Sequence, residues 1–281
     1  MATVLERSRL VTASPKGGNW NGLWTGVQAL WLIHMLKFVS SSMEITGTLG
    51  LPILWMFFFG LAMHGMVSQM KTMNINIDYL SYITPGVVML TALSAAILGG
   101  STLLMERVNG VIKEYMVAPI PRLAVLLGTM SSAITKALLQ SVIILVLGAI
   151  LGGGLNWNVL ALLAGLLITV VYAMGFVGIA AALASKAKGM EGYHSIIMIF
   201  NLPLMFTSNA LYPISELPAF IKVLCYLTPT TYAVDATRQL WFGGTSEVGM
   251  WIDLPVLLVF MVVCVWFGYR IFQKSVANPA S

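Results

Sequence analysis

The segment "ERVNGVIKEYMVAPIPR" collects Glu106, Arg107, Lys113, Glu114 and Arg122 between long apolar runs. Charges of both signs at short spacing could serve acid–base chemistry, ligate a metal or dock another protein, and each use demands different company. A nucleophile needs a base within reach, a metal needs clustered His, Cys or carboxylates, and a nucleotide needs a glycine-rich phosphate loop. The chain has no GxxxxGK[ST], HExxH or GxSxG. Cys225 and Cys264 form neither a metal spacing nor a disulfide framework. His34, His64 and His194 are scattered and read as polar surface or interfacial side chains. No catalytic residue, bound metal, cofactor or nucleic-acid contact is therefore expected of this chain.

Docking is what remains for the charged segment. Val108, Val111, Ile112, Tyr115 and Met116 recur at helical spacing among the charges, which predicts a short amphipathic helix over Val108 to Ala118. Apolar anchors would enter a partner's groove while the charges fix its register. Pro119 and Pro121 stop that helix and hold an extended exit.

The elements that must present this segment are set by composition. Of 281 residues, 58% are hydrophobic and 9% charged, far from the quarter charged in a typical soluble domain, so the chain is expected to be an all-α, multi-pass membrane protein. Apolar runs at roughly 44 to 65, 83 to 105, 123 to 151, 158 to 184, 193 to 212 and 251 to 272 predict six transmembrane helices. Residues 1–281 read as one domain, with a tail and interfacial helix over 1–43, the spans over 44–272 and a second tail over 273–281. The N-terminal stretch lacks the features of a signal peptide and reads as a cytosolic tail. With both termini inside, Arg107, Lys113, Arg122, Lys186, Lys188, Arg270 and Lys274 join the inner cations, and only Lys71, Lys222 and Arg238 lie outside.

Trp20, Trp24, Trp31 and Phe38 mark a helix ahead of the first span, separated from it by too few residues to turn comfortably between two crossings. It is expected to be amphipathic and to lie along the inner leaflet, in preference to a seventh span. On the outer side, Pro218, Pro229 and the Gly243–Gly244 pair predict two short helices, a re-entrant pair. Lys136 lies inside an apolar run, where its long side chain is expected to snorkel to the inner interface rather than act in the membrane.

"ERVNGVIKEYMVAPIPR", preceded by "YITPGVVML" and followed by "LYPISELPAFIKVL" and "PTTYAVDATR", resembles the membrane subunits of ABC-2 type exporters, most closely the daunorubicin-resistance permease group. The resemblance covers nearly the whole chain in order. It implies that Glu106, Arg107, Val111, Lys113, Glu114, Tyr115 and Met116 form a cytoplasmic coupling helix contacting a separate ATPase. Two such ATPases, carrying ATP and Mg, would work beneath a homo- or heterodimer of permeases in a prokaryotic inner membrane. Asp235 and Arg238 match the family's acidic and basic pair in the outer region; read by themselves they are a surface pair of little weight. The transport path would run between permeases along the first, second and fifth spans, where Asn201, Met205, Phe206, Ser208 and Asn209 are the candidate lining residues. The cargo implied is an amphipathic drug, lipid or lipid-like metabolite. Alternatives are a polysaccharide or glycolipid exporter, or an ion-coupled transporter acting alone through Lys136 and Glu44.

Overall fold

The structure, a computed structural model, describes residues 20–64, 79–111, 115, 121–151, 154–211, 214, 217–243 and 246–277. Within these residues it is helical without strands: α1 (Trp20–Ser40), α2 (Ser42–His64), α3 (Tyr79–Val108), α4 (Arg122–Ile150), α5 (Val159–Lys186), α6 (Met190–Phe206), α7 (Ala219–Leu227), α8 (Pro229–Phe242) and α9 (Met250–Ala277). Four helices are long and apolar enough to cross a membrane, namely Leu80–Val108, Leu123–Ile150, Val159–Lys186 and Met250–Ser275. The first and fifth predicted spans correspond to α2, whose apolar stretch Ser42–Phe58 is shorter, and to the 17-residue α6.

The bundle is organised on α3, whose apolar window is 72% buried against 11% for α9 at the edge. Helices α4 and α5 pack on α3, while α9 and α8 pack on α5. The α5–α9 contact depends on small residues, because without a hydrophobic force between helices in lipid the backbones must approach closely to gain dispersion contacts. A methyl group added at Gly178 would stand 2.6 Å from the Cys264 carbonyl oxygen, and Gly268 faces the Gly178 backbone in turn. The two helices are thus in backbone contact.

The limits of α7 and α8 follow the prolines and glycines. Pro218 caps α7, Pro229 opens α8 at its first position, where its missing N–H costs nothing, and Gly243 ends α8 in the left-handed conformation with φ 65°. These limits agree with those read from the sequence.

Two expectations are corrected. Helix α1 is apolar all round rather than amphipathic: Val27, Leu30, His34 and Phe38 are buried, while Trp24, Leu32, Leu36 and Val39 on other faces are exposed. Its buried stripe packs on α4, and so is not the indole stripe picked out in the sequence. Second, α3 runs on through Glu106 and Arg107 to Val108 before turning at Asn109 and Gly110, so these two charges belong to its last turn.

Candidate functional site

At the C-terminal end of α3, the Glu106 carboxylate is 6% exposed and accepts a 2.7 Å hydrogen bond from His34 Nε2 of α1. Tyr115 Oη donates to the same carboxylate oxygen at 3.4 Å. His34 is itself 2% exposed, which corrects its reading as a surface or interfacial residue: a buried imidazole is kept in place by a carboxylate that it satisfies. Arg107 donates to the Ala184 and Ser185 carbonyls at the end of α5, and Ser275 of α9 also donates to the Ser185 carbonyl at 3.0 Å. Both charges of α3 therefore fasten helices together. Val111 and Tyr115 are helical and half-buried, whereas Lys113, Glu114 and Met116 lie outside the described residues.

Helix α1 reaches the bundle through four contacts along α4. Leu30 and Val27 meet Gly128, where a methyl group would stand 2.7 Å from Leu30 Cβ. Half-buried Trp31 donates from Nε1 to Thr135 Oγ1 at 3.0 Å. Phe38 lies under Lys136, whose Nζ is 4.8 Å from the ring centroid. Trp24 is exposed, and nothing is described of the Trp20 side chain.

Lys136 does not snorkel to the interface. It is 8% exposed, and its Nζ donates to Glu44 Oε1 of α2 at 2.7 Å. A partner within reach is electrostatically preferable to a long path back to water, because the pair's attraction grows as the surroundings dry. Glu44 itself is one-third exposed on its other side, 33% by side chain.

That exposed side faces a groove of about 420 Å³ between α2, α3 and α6, lined by Glu44, Thr48, Ser94, Ser101, His194, Asn201 and apolar neighbours. A second groove of about 340 Å³, almost wholly apolar, lies behind α6 against α5 and α9, and Asn201 lines both. Helix α6 is held to α3 by Tyr193, whose hydroxyl donates to the Ile97 carbonyl at 2.9 Å. Of the other candidate lining residues, Phe206 is 46% exposed, Ser208 and Asn209 are buried in the turn after α6 and line neither groove, and nothing is described of the Met205 side chain.

On α8, Asp235 and Arg238 are 0% and 2% exposed. They are not a surface pair, and their bonds go elsewhere. Asp235 accepts from Ser246 Oγ at 2.7 Å and from the Glu247 and Val248 amides at 3.1 Å, which ties down the loop after α8. Arg238 donates to the Tyr82 carbonyl and, at 2.7 Å, to the Asn209 carbonyl, while its guanidinium lies 3.7 Å from the Tyr82 ring. It thereby joins α8 to α3 and to the turn after α6. In the same loop, desolvation pushes the Glu247 carboxyl above its ordinary range, and the Arg238 charge opposes that shift. Asp253, in the first turn of α9, is fully buried with neither carboxylate oxygen bonded among the described residues. The sequence reading passed over it, although an acid at the start of an apolar run was the available signal.

No group of described residues has the spacing to hold a metal. Comparison with known proteins fits a transport architecture instead. The chain is 26% identical over 191 residues to the putative transport permease ycf38 of Pyropia yezoensis, covering 68% of this chain and 65% of that protein. It is 23% identical over 209 residues to the probable multidrug ABC transporter permease YbhR of Escherichia coli K12, covering 72% and 55%. With nodulation protein J of Rhizobium leguminosarum bv. viciae it is 23% identical over 256 residues, covering 90% and 93%. The chain thus spans slightly under two thirds of the ycf38 protein and about half of YbhR, but nearly all of nodulation protein J. Residues 25–242, from α1 to the end of α8, match the family described as ABC-2 type transporter, and the chain belongs to that family.

Proposed function

We propose that this chain is the permease subunit of an ATP-driven exporter that moves an amphipathic drug, lipid or lipid-like metabolite out of the cytoplasm or inner leaflet. The observation that carries the reading is the groove between α2, α3 and α6, the helices of the first, second and fifth predicted spans. Its volume of about 420 Å³ falls in the range of sites for single small molecules, and its mixture of apolar wall and scattered polar side chains suits an amphiphile. In this reading α2 and α6 are spans like the four longer helices, α1 lies along the inner leaflet, α7 and α8 dip in from outside, and both termini are cytoplasmic. A second permease copy closes the groove, and Phe57 and Phe58 of α2 and Met198 and Ile199 of α6 are among the exposed apolar side chains that such a copy could cover.

Energy comes from two separate ATPase subunits, which carry the ATP and Mg. Lys113, Glu114, Tyr115 and Met116 are the docking segment, and Glu106 and Arg107 fix its base to α1 and α5. ATP-dependent closure of the ATPases displaces that base, and packed helices carry the displacement to the groove as a change between two packings. The competing reading, an ion-coupled transporter working alone, rests on Glu44 and Lys136 as free intramembrane charges, and those two neutralise each other. The test is Glu114→Ala with Tyr115→Ala: transport by the reconstituted complex and its stimulation of ATP hydrolysis should fall while the protein remains in the membrane. Full coupling in that variant would overturn the docking role.

A further inference from the structure

The hydrogen-bonding inventory of the groove is lopsided, and the asymmetry selects a ligand. Each hydroxyl on its wall has already given its proton to its own helix. Thr48 donates to the Glu44 carbonyl at 2.8 Å, Ser94 to the Leu90 carbonyl at 2.9 Å and Ser101 to the Ile97 carbonyl at 3.4 Å. A hydroxyl has one proton and two lone pairs, so these three can only accept from a ligand. His194 Nδ1 lies 2.9 Å from the Met190 carbonyl; a carbonyl cannot donate, so Nδ1 gives its proton there and brings no donor to a ligand. Among the described residues Glu44 has one donor, Lys136, on one oxygen. Asn201 brings the amide donors of this wall.

The cation that balances Glu44 is behind the wall rather than on it. Lys136 is almost wholly buried, stands over the Phe38 ring and does not line the groove. A ligand in the groove therefore meets a carboxylate and a set of lone pairs without meeting the ammonium that compensates them. An anionic or acceptor-rich head would leave these groups unsatisfied, whereas a protonated amine would give each N–H a lone pair and share Glu44 with Lys136.

We propose that the groove binds the protonated amine of an amphipathic cation, with Glu44 reading the amine and Lys136 acting as the internal cation that competes for it. The assignment rests on the groove being the transport path, and it adds the chemical class of the head group and the residue pair that selects it. Charge-assisted hydrogen bonds are the strong ones, so one such bond to the amine supplies roughly a tenfold preference over a neutral head.

The test uses the full chain in lipid nanodiscs and three probes with one dodecyl tail, ending in an ammonium, a methyl ether or a carboxylate. Binding is followed by displacement of a fluorescent amphiphile, and location by protection of Leu98→Cys, which lines this groove and not the apolar one behind α6, from a maleimide. The ammonium probe is expected to bind roughly tenfold or more tightly than the other two and to protect Leu98→Cys. Glu44→Gln should erase the preference and Lys136→Gln should increase it. A merely structural pair would move both variants in the same direction, and that result would overturn the assignment. Ser94→Ala, which leaves the ion pair intact, should weaken the ammonium probe and not the carboxylate. Equal binding of all three probes with protection of Leu98→Cys would overturn the amine preference and leave the path standing. Binding without protection would overturn both.

Discussion

Exchanging the buried His34–Glu106 pair for leucine, singly and together, tests whether this contact fastens α1 to α3. The two side chains are nearly inaccessible and share one 2.7 Å hydrogen bond. His34→Leu leaves the carboxylate in a buried site with, among the described residues, the longer Tyr115 contact alone, and breaking a buried charged contact from one side costs about 3–5 kcal/mol. Glu106→Leu leaves an imidazole donor unpaired, at about 1–3 kcal/mol. The double variant removes both unsatisfied groups and replaces them with apolar volume, which is nearly neutral by the same reasoning. The singles should therefore exceed the double, with a coupling close to the sum of the two single costs, about 4 kcal/mol or more and above the usual range for residues in direct contact. Equilibrium unfolding in mixed micelles, followed by circular dichroism, measures all four corners of the cycle. Additivity to within about 0.5 kcal/mol would refute the contact as an energetic link.

Further expectations follow from single contacts. Arg238→Met should destabilise the junction of α8 with α3 by about 3 kcal/mol, because the Asn209 and Tyr82 carbonyls lose a charged donor in a dry site; chymotrypsin cleavage between α6 and α7, compared before and after mild heating, reads this directly. Gly178→Ala drives a methyl into the Cys264 carbonyl and should lower the thermal midpoint in detergent more than Gly189→Ala, where the added methyl meets nothing. Trp31→Phe keeps the ring and loses the bond to Thr135. That should cost about 1 kcal/mol, with no further loss when Thr135→Val is added. Asp253→Asn gives an orphaned buried carboxylate a donor and removes its charge, so stability in the same assay should rise or stay level rather than fall.

Helix identity was legible in the sequence wherever lipid enforces it. Six apolar runs became α2, α3, α4, α5, α6 and α9, and Pro218, Pro229 and Gly243 set the outer helix limits because each acts on local backbone geometry. Side-chain pairing was much less legible, since it depends on which helices become neighbours. His34 and Glu106 are 72 residues apart and Glu44 and Lys136 are 92, and no local pattern connects either pair. The spacing of Asp235 and Arg238 suggested a pair on one helical face, yet the tertiary partners Ser246, Tyr82 and Asn209 claim both. The tryptophans of α1 misled for a related reason. They advertise an interface, whereas the face that packs is marked by Val27, Leu30, His34 and Phe38, a stripe that includes a polar residue and is visible only once Glu106 is there to receive it.

These pairings form one connected chain through α3, α1, α4 and α2. Glu106 at the end of α3 holds His34; Phe38 lies one helical turn further along α1 and supports Lys136; Lys136 holds Glu44, and Glu44 lines the groove. Contiguity alone does not establish coupling, which needs an element that both ends bias, and α1 is the candidate because it bears both His34 and Phe38. The expected sign is definite. If α1 transmits, His34→Leu should change the affinity of the groove for an ammonium amphiphile although the two are not in contact, and Phe38→Leu should abolish that effect while leaving the His34–Glu106 bond in place. A ligand effect of His34→Leu that survives Phe38→Leu would place the transmission in α3 itself, whose length spans both the Glu106 end and the groove wall at Ser94 and Ser101.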